Sequence, residues 1–417
     1  MFLFWSHIRK CILCTKITLL ILPLLWLSHP VMGKTSATHT YKNPTGDEFP
    51  ILAWYSIMPP HISKARYEEL AEAGINLSFS HFRSADEVEQ ALKASKNTGV
   101  KILITCPELS THTAETVKRF RKYKTNAGYF LRDEPVCTSF PELRAFADRL
   151  RAADNHRILY LNLLPTYVDW NILGSTDYAD YVRRFIHEVG IGLVSFDHYP
   201  VVEEGLRDDY YSNLEYISAE SQRADQPFWA FALSTAHDPY PIATRASLRL
   251  QVFSNLAYGA QGIQYFTYAT PGTEIWNFHN APIDEQYQRT EVYDLLAEIN
   301  HEIQALRKVF LGARVLSVRH TGDHIPSHTT ALTSLPTPIH TVKANGEGVL
   351  VSHLRKGEND YLMVVNRDLF RSQRITVETG HDVQRVMPDG TQRPASVYSP
   401  TLNVEPGNML LFTWHCD

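Results

Sequence analysis

From residue 50 to residue 309, short apolar segments alternate with amphipathic helical segments, and this alternation limits the fold more than any other feature. The last helical segment is typical, because Val292, Leu296 and Ile299 lie on one face. Eight strand–helix units of this spacing predict a (β/α)8 TIM barrel. An open doubly wound sheet would need a glycine-rich phosphate loop after an early strand, and none is present. The predicted strands are Pro50–Ile57, Ile75–Phe82, Lys101–Cys106, Gly128–Asp133, Arg157–Leu163, Gly192–Tyr199, Pro227–Ser234 and Gly262–Tyr268.

After Gly312 the pattern changes to short apolar segments separated by turns such as Asp389-Gly390 and Pro406-Gly407. We therefore predict an α/β protein with two domains, a barrel over residues 40–311 and a small all-β domain, a β-sandwich, over residues 312–417. The second domain has no distinctive site, so a structural role against the barrel is favoured over a binding role.

The first residues have the pattern of a targeting segment. Basic residues precede an apolar stretch, Ile17–Leu27, and Val31-Met32-Gly33 follows it. This predicts a secretory signal peptide over residues 1–33 and an exported protein, periplasmic or extracellular in a bacterium, with no stable membrane insertion after cleavage. An uncleaved anchor is the alternative, although the apolar stretch is short for a membrane span.

Three cysteines remain after the predicted cleavage site: Cys106, Cys137 and Cys416. Because this number is odd, they cannot all pair within one chain. Cys106 and Cys137 follow neighbouring predicted strands. A bridge between them and two free buried thiols are both compatible with the sequence.

Composition and motifs exclude several classes of function. The formal net charge is −5 and there is no long basic run, which argues against a nucleic-acid partner. The 19 histidines show no His-Glu-x-x-His or other metal-ligand spacing, so we expect neither a metal nor another cofactor. The Gly-x-Ser-x-Gly elbow of serine hydrolases is also missing.

The fourth predicted strand ends in Arg132-Asp133-Glu134-Pro135. Chemistry in a TIM barrel lies where the strands end, and a carboxylic acid there is placed to donate a proton. Strand alternation gives Arg132 and Glu134 one register, so Glu134 is the better candidate to face the pocket. The alternative is a structural ion pair that includes Arg132. Glycoside hydrolysis is one reaction that depends on such acids, and it normally requires two.

Asp197 is our first choice for the second carboxylate, because Ser195, Asp197 and Tyr199 form the inward register of the sixth strand. Its alternative role is to orient a loop or a neighbouring histidine. Glu108 after the third strand and Glu274 after the eighth are the other acidic candidates.

Aromatic side chains cluster near the predicted strand ends, where they would suit stacking against sugar rings. Any single ring of this kind is more often part of the core than a sugar platform, and the histidines either bind sugar hydroxyls or are structural. The residues predicted to bind substrate are Trp54, Asp133, His198, Tyr199, Tyr268 and Trp276.

On these motifs the chain resembles the clan-A glycoside hydrolases, retaining (β/α) barrels that include the β-galactosidases. The run Phe196-Asp197-His198-Tyr199-Pro200 and the segment Leu248–Gly262 also carry the resemblance. In the clan an Asn-Glu pair often closes the fourth strand and its Glu is the acid/base. The resemblance therefore implies that Glu134 is the general acid/base, with Asp133 in place of the usual asparagine.

The resemblance also implies a nucleophilic Glu at the end of the seventh strand, and this sequence has none. The inward register there is predicted as Ala230, Ala232 and Ser234. Three alternatives follow: Asp197 or Glu108 is the second carboxylate, an N-acetyl group of the substrate takes its place, or the barrel binds glycan without cleaving it. The sequence thus predicts an exported glycoside hydrolase acting on an oligosaccharide or polysaccharide, with an inactive glycan-binding barrel as the alternative.

Overall fold

The computed structural model describes residues 40–273 and 276–416 of the 417-residue chain. The predicted signal peptide, residues 1–33, lies outside these ranges. Within them, no helix is both long enough and apolar enough to cross a membrane.

Eight parallel strands form a closed barrel, which confirms the predicted TIM-barrel architecture. They lie in the order β5-β4-β3-β2-β1-β8-β7-β6, and a parallel bridge between Leu163 and Phe196 joins β5 to β6. A short hairpin, Val201–Val202 with Gly205–Leu206, follows β6. The barrel strands are β1 (Ile51–Trp54), β2 (Leu77–Phe79), β3 (Lys101–Ile104), β4 (Asn126–Asp133), β5 (Ile158–Asn162), β6 (Val194–Phe196), β7 (Phe228–Leu233) and β8 (Ile263–Phe266).

Helices cover the outside of the barrel, and polar side chains cap several of them. Ser63 and Ser84 accept hydrogen bonds from the backbone of the helices that begin at Lys64 and Ala85. Thr244 forms a reciprocal capping box with Ser247 at the helix that begins at Arg245. The helices are α1 (Lys64–Glu72), α2 (Ala85–Ala94), α3 (Pro107–Thr111), α4 (Thr113–Phe120), α5 (Phe140–Ala153), α6 (Trp170–Leu173), α7 (Tyr178–Arg184), α8 (Tyr210–Arg223), α9 (Arg245–Ala257), α10 (Glu291–Ala305) and α11 (Arg307–Phe310).

Large side chains fill the barrel interior, and on β7 these are Trp229, Phe231 and Leu233. The predicted inward register of this strand was therefore wrong, because Ala230 and Ala232 belong to the outer core between the strands and helices. The physical reason is volume. Bulky residues are needed to fill the inside, while small ones outside let α9 pack close to the strand.

The C-terminal domain consists of two antiparallel sheets that share an apolar core. One has the order β9-β11-β12-β17-β14-β15 and the other the order β10-β13-β16, which together form a β-sandwich. The strands are β9 (Arg314–His320), β10 (Ile339–Ala344), β11 (Val349–Lys356), β12 (Asn359–Asn366), β13 (Gln373–Thr379), β14 (Gln384–Val386), β15 (Gln392–Pro394), β16 (Thr401–Val404) and β17 (Met409–His415).

The larger sheet packs against the barrel through its outer face, where Leu350, Met363 and Leu411 join the barrel's outer core. A buried arginine on α9, Arg249, donates to Glu302 of α10 at 2.7 Å and to Asn408 of the β domain at 2.8 Å. The two domains are thus held together by apolar packing and by a buried charge that has partners in both of them.

Candidate active site

Two carboxyl groups reach the barrel mouth at the end of β4 because this strand is irregular. The pairing of β4 with β5 shifts between Phe130 and Asp133, after which Asp133 lies opposite Asn162. Glu134 has a φ of 46°, a strained value for a residue with a side chain, and its N–H donates to the Asn162 carbonyl at 2.9 Å. Regular alternation along β4 would turn Asp133 away from Glu134, but the shifted pairing brings its carboxylate to the Asn162 side chain, which hydrogen-bonds it.

Asn162, at the end of β5, connects the carboxylates of neighbouring strands. Its Nδ2 donates to Oδ1 of Asp197 at 2.7 Å, and its Oδ1 accepts from Ser195 Oγ at 2.9 Å. The Ser195 contact fixes the orientation of the amide, so that both of its N–H groups face the acidic side. Asp133 and Asp197 are therefore held by the same side chain.

A chain of buried hydrogen bonds continues beneath Asn162. Tyr160 donates to Gln264 Oε1, and Gln264 Nε2 donates to Ser195 Oγ at 2.8 Å. All of these groups are buried inside the barrel, which confirms that Ser195 and Asp197 face inward. Sequence reasoning missed Asn162 and Gln264. The available signal was a polar residue within or at the end of an otherwise apolar barrel strand.

The electrostatics of this site favour protonated carboxyl groups. Burial, with the charge of Asp133 as the next cause, raises the pKa of Glu134 to about 7. Burial, together with the charges of Glu134 and Asp133, raises the pKa of Asp197 well above its ordinary value. Burial also raises the pKa of Asp133, while its hydrogen bond from Asn162 acts in the opposite direction. These three groups titrate together, because ionising one makes ionising the next less favourable.

Aromatic rings stand beside the carboxylates. Tyr199 packs against Phe266 and Tyr240, with ring centroids 5.5 and 5.8 Å away. The Tyr167 ring lies 5.2 Å from the ring of His198, and burial, followed by the charge of Asp197, raises the pKa of Tyr167. Tyr167 and Tyr240 were not predicted from the sequence, because both belong to loops that follow strands.

The remaining residues predicted to bind substrate are dispersed. Trp54 is buried in the barrel interior against Phe79, with the ring centroids 4.2 Å apart. Tyr268 lies in the outer layer, where its ring faces Tyr293. Trp276 is 40% exposed at the rim, 6.1 Å from the His237 ring.

His198 points out of the barrel toward the start of α8. Its Nε2 lies 3.1 Å from Oδ1 of Asp209, and Tyr167 and Tyr210 flank its ring. Burial lowers the pKa of His198, although Asp209 opposes that shift. A neutral His198 therefore connects the rear of the site to the loop before α8.

Ser234 occupies the end of β7, and its hydroxyl donates to the Thr267 carbonyl at 2.8 Å. Glu108 is occupied elsewhere, because its carboxylate accepts the Ala85 N–H at 3.1 Å. Glu274 lies outside the described residues. Arg132 pairs with exposed Glu142 at 3.3 Å rather than with the carboxylates of the site.

Cys106, Cys137 and Cys416 are free thiols, which resolves the question of a bridge. Over residues 40–273 and 276–416, no three histidine, cysteine or acidic side chains are grouped to hold a metal ion.

Comparison with known proteins gives one match at the level of sequence families. The profile of the β-galactosidases of glycoside hydrolase family 42 matches residues 145–306. No curated protein matches the chain.

Solved structures share the architecture at low identity. A β-galactosidase from Bacillus circulans sp. alkalophilus has a TM-score of 0.62 and 9% identity, covering 88% of this chain and 99% of its own. A catalytic mutant of a family 42 β-galactosidase from G. stearothermophilus has a TM-score of 0.60 and 8% identity, covering 90% of this chain and 100% of its own. The β-galactosidase of psychrophilic Marinomonas ef1 has 11% identity and a TM-score of 0.46. The match covers 62% of this chain and only 60% of that enzyme.

The profile match and the shared fold place the chain in the class of glycoside hydrolases built on a (β/α)8 barrel with a C-terminal β domain. Within that class it is similar to the β-galactosidases of family 42.

Proposed function

We propose that the protein is an exported glycoside hydrolase that cleaves O-glycosidic bonds with Glu134 as its general acid. The observation that carries the proposal is the grouping of Glu134 with Asp133 and Asp197 at the carboxyl ends of β4 and β6. Export is supported by the basic and apolar pattern of residues 1–33.

Glu134 is suited to protonate the leaving oxygen. With a pKa raised to about 7, a large share of Glu134 is protonated near neutral pH. Its backbone is anchored to Asn162 on the neighbouring strand, so the acid is held at a fixed place in the mouth. Such an acid contributes on the order of 10²–10⁴ in rate when the leaving group is poor.

Asp197 is the proposed second carboxylate. The N–H of Asn162 favours its ionised form, while the charges of Glu134 and Asp133 oppose it. A protonated Glu134 removes one of these opposing charges, which makes ionisation of Asp197 easier. One proton on the acid and one negative charge on its partner is the arrangement that glycoside hydrolysis requires.

The β-galactosidases similar to this chain make β-galactosides the first substrates to test. Tyr199 and Tyr167 would contact the sugar, because Tyr199 lies in the barrel interior two residues after Asp197 and Tyr167 packs against His198, the residue next to Asp197. Trp276 would contact it at the rim.

The direct test replaces Glu134 by Gln and measures hydrolysis of an unactivated galacto-oligosaccharide. Glu142→Gln is the matched control, because Glu142 follows the same strand but pairs with Arg132 at the surface. We expect Glu134→Gln to lower kcat by about 10²–10⁴ and the control to retain activity. Unchanged turnover in Glu134→Gln would reject the assignment.

A glycan-binding barrel without catalysis is the second candidate function. It is favoured by the sequence that ends β7, Leu233-Ser234-Thr235, which has no acidic residue where the clan pattern has a carboxylate. It predicts that a panel of glycans binds to the wild-type protein while no reducing end is released.

A further inference from the structure

A second concave surface lies beside the active site. It is a cleft of about 630 Å³ between the loop around α6, the N-terminal part of α8 and the β domain. Tyr167 and Trp170 line one wall, Tyr216 lines another, and His328 closes it from the β domain. The size is comparable to that of small-molecule sites in general.

The cleft is continuous with the active site through two residues. The Tyr167 ring lines the cleft and its centroid lies 5.2 Å from that of His198, the residue that follows Asp197. Asp209 also lines the cleft, and it lies 3.1 Å from His198 behind the site. A chain that leaves the barrel mouth over Tyr167 would therefore enter this cleft.

The chemistry of the lining selects a type of occupant. Tyr167 and Trp170 are 43% and 47% exposed, and because the Arg207 guanidinium lies 5.0 Å from the centre of the Tyr167 ring, Trp170 offers the more open ring. Asp169, Asp177 and Asp208 are exposed at the cleft. The first two use Oδ1 to cap α6 and α7, which leaves Oδ2 toward solvent, and among the described residues no lysine or arginine lines the cleft. Carboxylates accept hydrogen bonds from hydroxyl groups and repel anions, while open rings cover the apolar faces of sugars. The lining therefore suits neutral sugar units and disfavours sulfated or uronic ones.

We infer that this cleft is an outlying subsite, which binds the neutral sugar units of an oligosaccharide beyond the bond that is cleaved. The inference rests on the proposed function, and it makes an extended chain rather than a single glycoside the preferred substrate. Binding energy gained in the cleft would be available only to substrates long enough to reach Trp170.

The experiment compares kcat/KM for a galacto-oligosaccharide of four units with that for p-nitrophenyl β-galactoside. We expect Trp170→Ala to lower the ratio of these two constants about tenfold, as expected for the loss of one aromatic contact. His328→Asn tests the opposite wall from the other domain and should lower the same ratio. Phe370→Ala is the matched control, because Phe370 is 74% exposed and lies outside the cleft.

Two further results would overturn the inference while leaving the proposed function intact. One is that the enzyme cleaves both probes, but neither Trp170→Ala nor His328→Asn changes the ratio of the two kcat/KM values. The other is a preference for a uronic or sulfated oligomer over the neutral one. If the wild-type enzyme cleaves no glycoside, the proposed function and the subsite fail together.

Discussion

Asn162 Nδ2 donates a hydrogen bond to Asp197 Oδ1 at 2.7 Å, and this contact joins the ends of two neighbouring barrel strands. The donor is fixed by Ser195, which occupies the other side of the amide. Asn162 therefore acts on the proposed chemistry through Asp197, as a positioning residue.

Replacing Asn162 by Ala should move the pH dependence of activity. The lost N–H stabilises the ionised form of Asp197, so its pKa should rise further. The acid limb of the kcat/KM profile should then move up by about one pH unit. The surface variant Asn359→Ala should leave the profile in place. A uniform loss of activity at every pH would instead indicate a structural role for Asn162.

Replacing Asp133 by Asn should move the alkaline limb of the kcat/KM profile. Glu134 must be protonated to act as an acid, so activity should fall as the pH rises through about 7. Burial is the largest cause of that raised pKa and the charge of Asp133 is the second, so removing the charge should lower it. The alkaline limb should move to lower pH in Asp133→Asn. An unmoved limb would show that Asp133 and Glu134 do not titrate together.

The raised pKa of Asp197 also predicts how stability depends on pH. An acid whose pKa is higher in the folded than in the unfolded chain does not lower the free energy of unfolding at a pH below its unfolded pKa. The cost grows as pH rises toward the folded pKa and is complete above it. Asp197→Asn should therefore raise Tm relative to wild type at about pH 8 and have little effect below about pH 4. Calorimetry at the two pH values measures this difference in Tm, and an equal difference at both values would contradict the prediction.

Gly407 should not tolerate a side chain. Its φ is +67°, and a Cβ there would lie 2.5 Å from the Ala246 carbonyl oxygen and 2.6 Å from the Leu250 nitrogen. Gly407→Ala should lower Tm by several degrees, because the β domain would have to move away from α9. Gly357→Ala is the matched control, with φ +57° and nothing within 4 Å of the added Cβ. Equal losses in the two variants would show that backbone strain alone is responsible.

The sequence predicted the barrel because strand–helix alternation is a local pattern that survives folding unchanged. Glu134 could be found for the same reason, since the end of β4 is visible as an apolar run stopped by charges and proline. The position of Asp133 could not be predicted. It depends on the irregular pairing between β4 and β5, which is a property of two strands together.

Residues whose position depends on partners distant in sequence could not be predicted either. Tyr167 reaches His198, beside Asp197, from a loop, and the direction of a loop is set by what it packs against. Tyr268 follows β8 but turns into the outer layer beside Tyr293, which no periodicity in the sequence indicates.

Arg249 contacts two carboxylates of the barrel, Glu302 and Glu298, and it also donates to Asn408 of the β domain. Any recombination event that exchanged the β domain for another would remove Asn408 and leave the guanidinium with an unfilled bonding position. It would also have to supply a glycine beside that asparagine. An exchange of the β domain would therefore have to reproduce both the hydrogen bond of Asn408 and the close approach of Gly407 to α9.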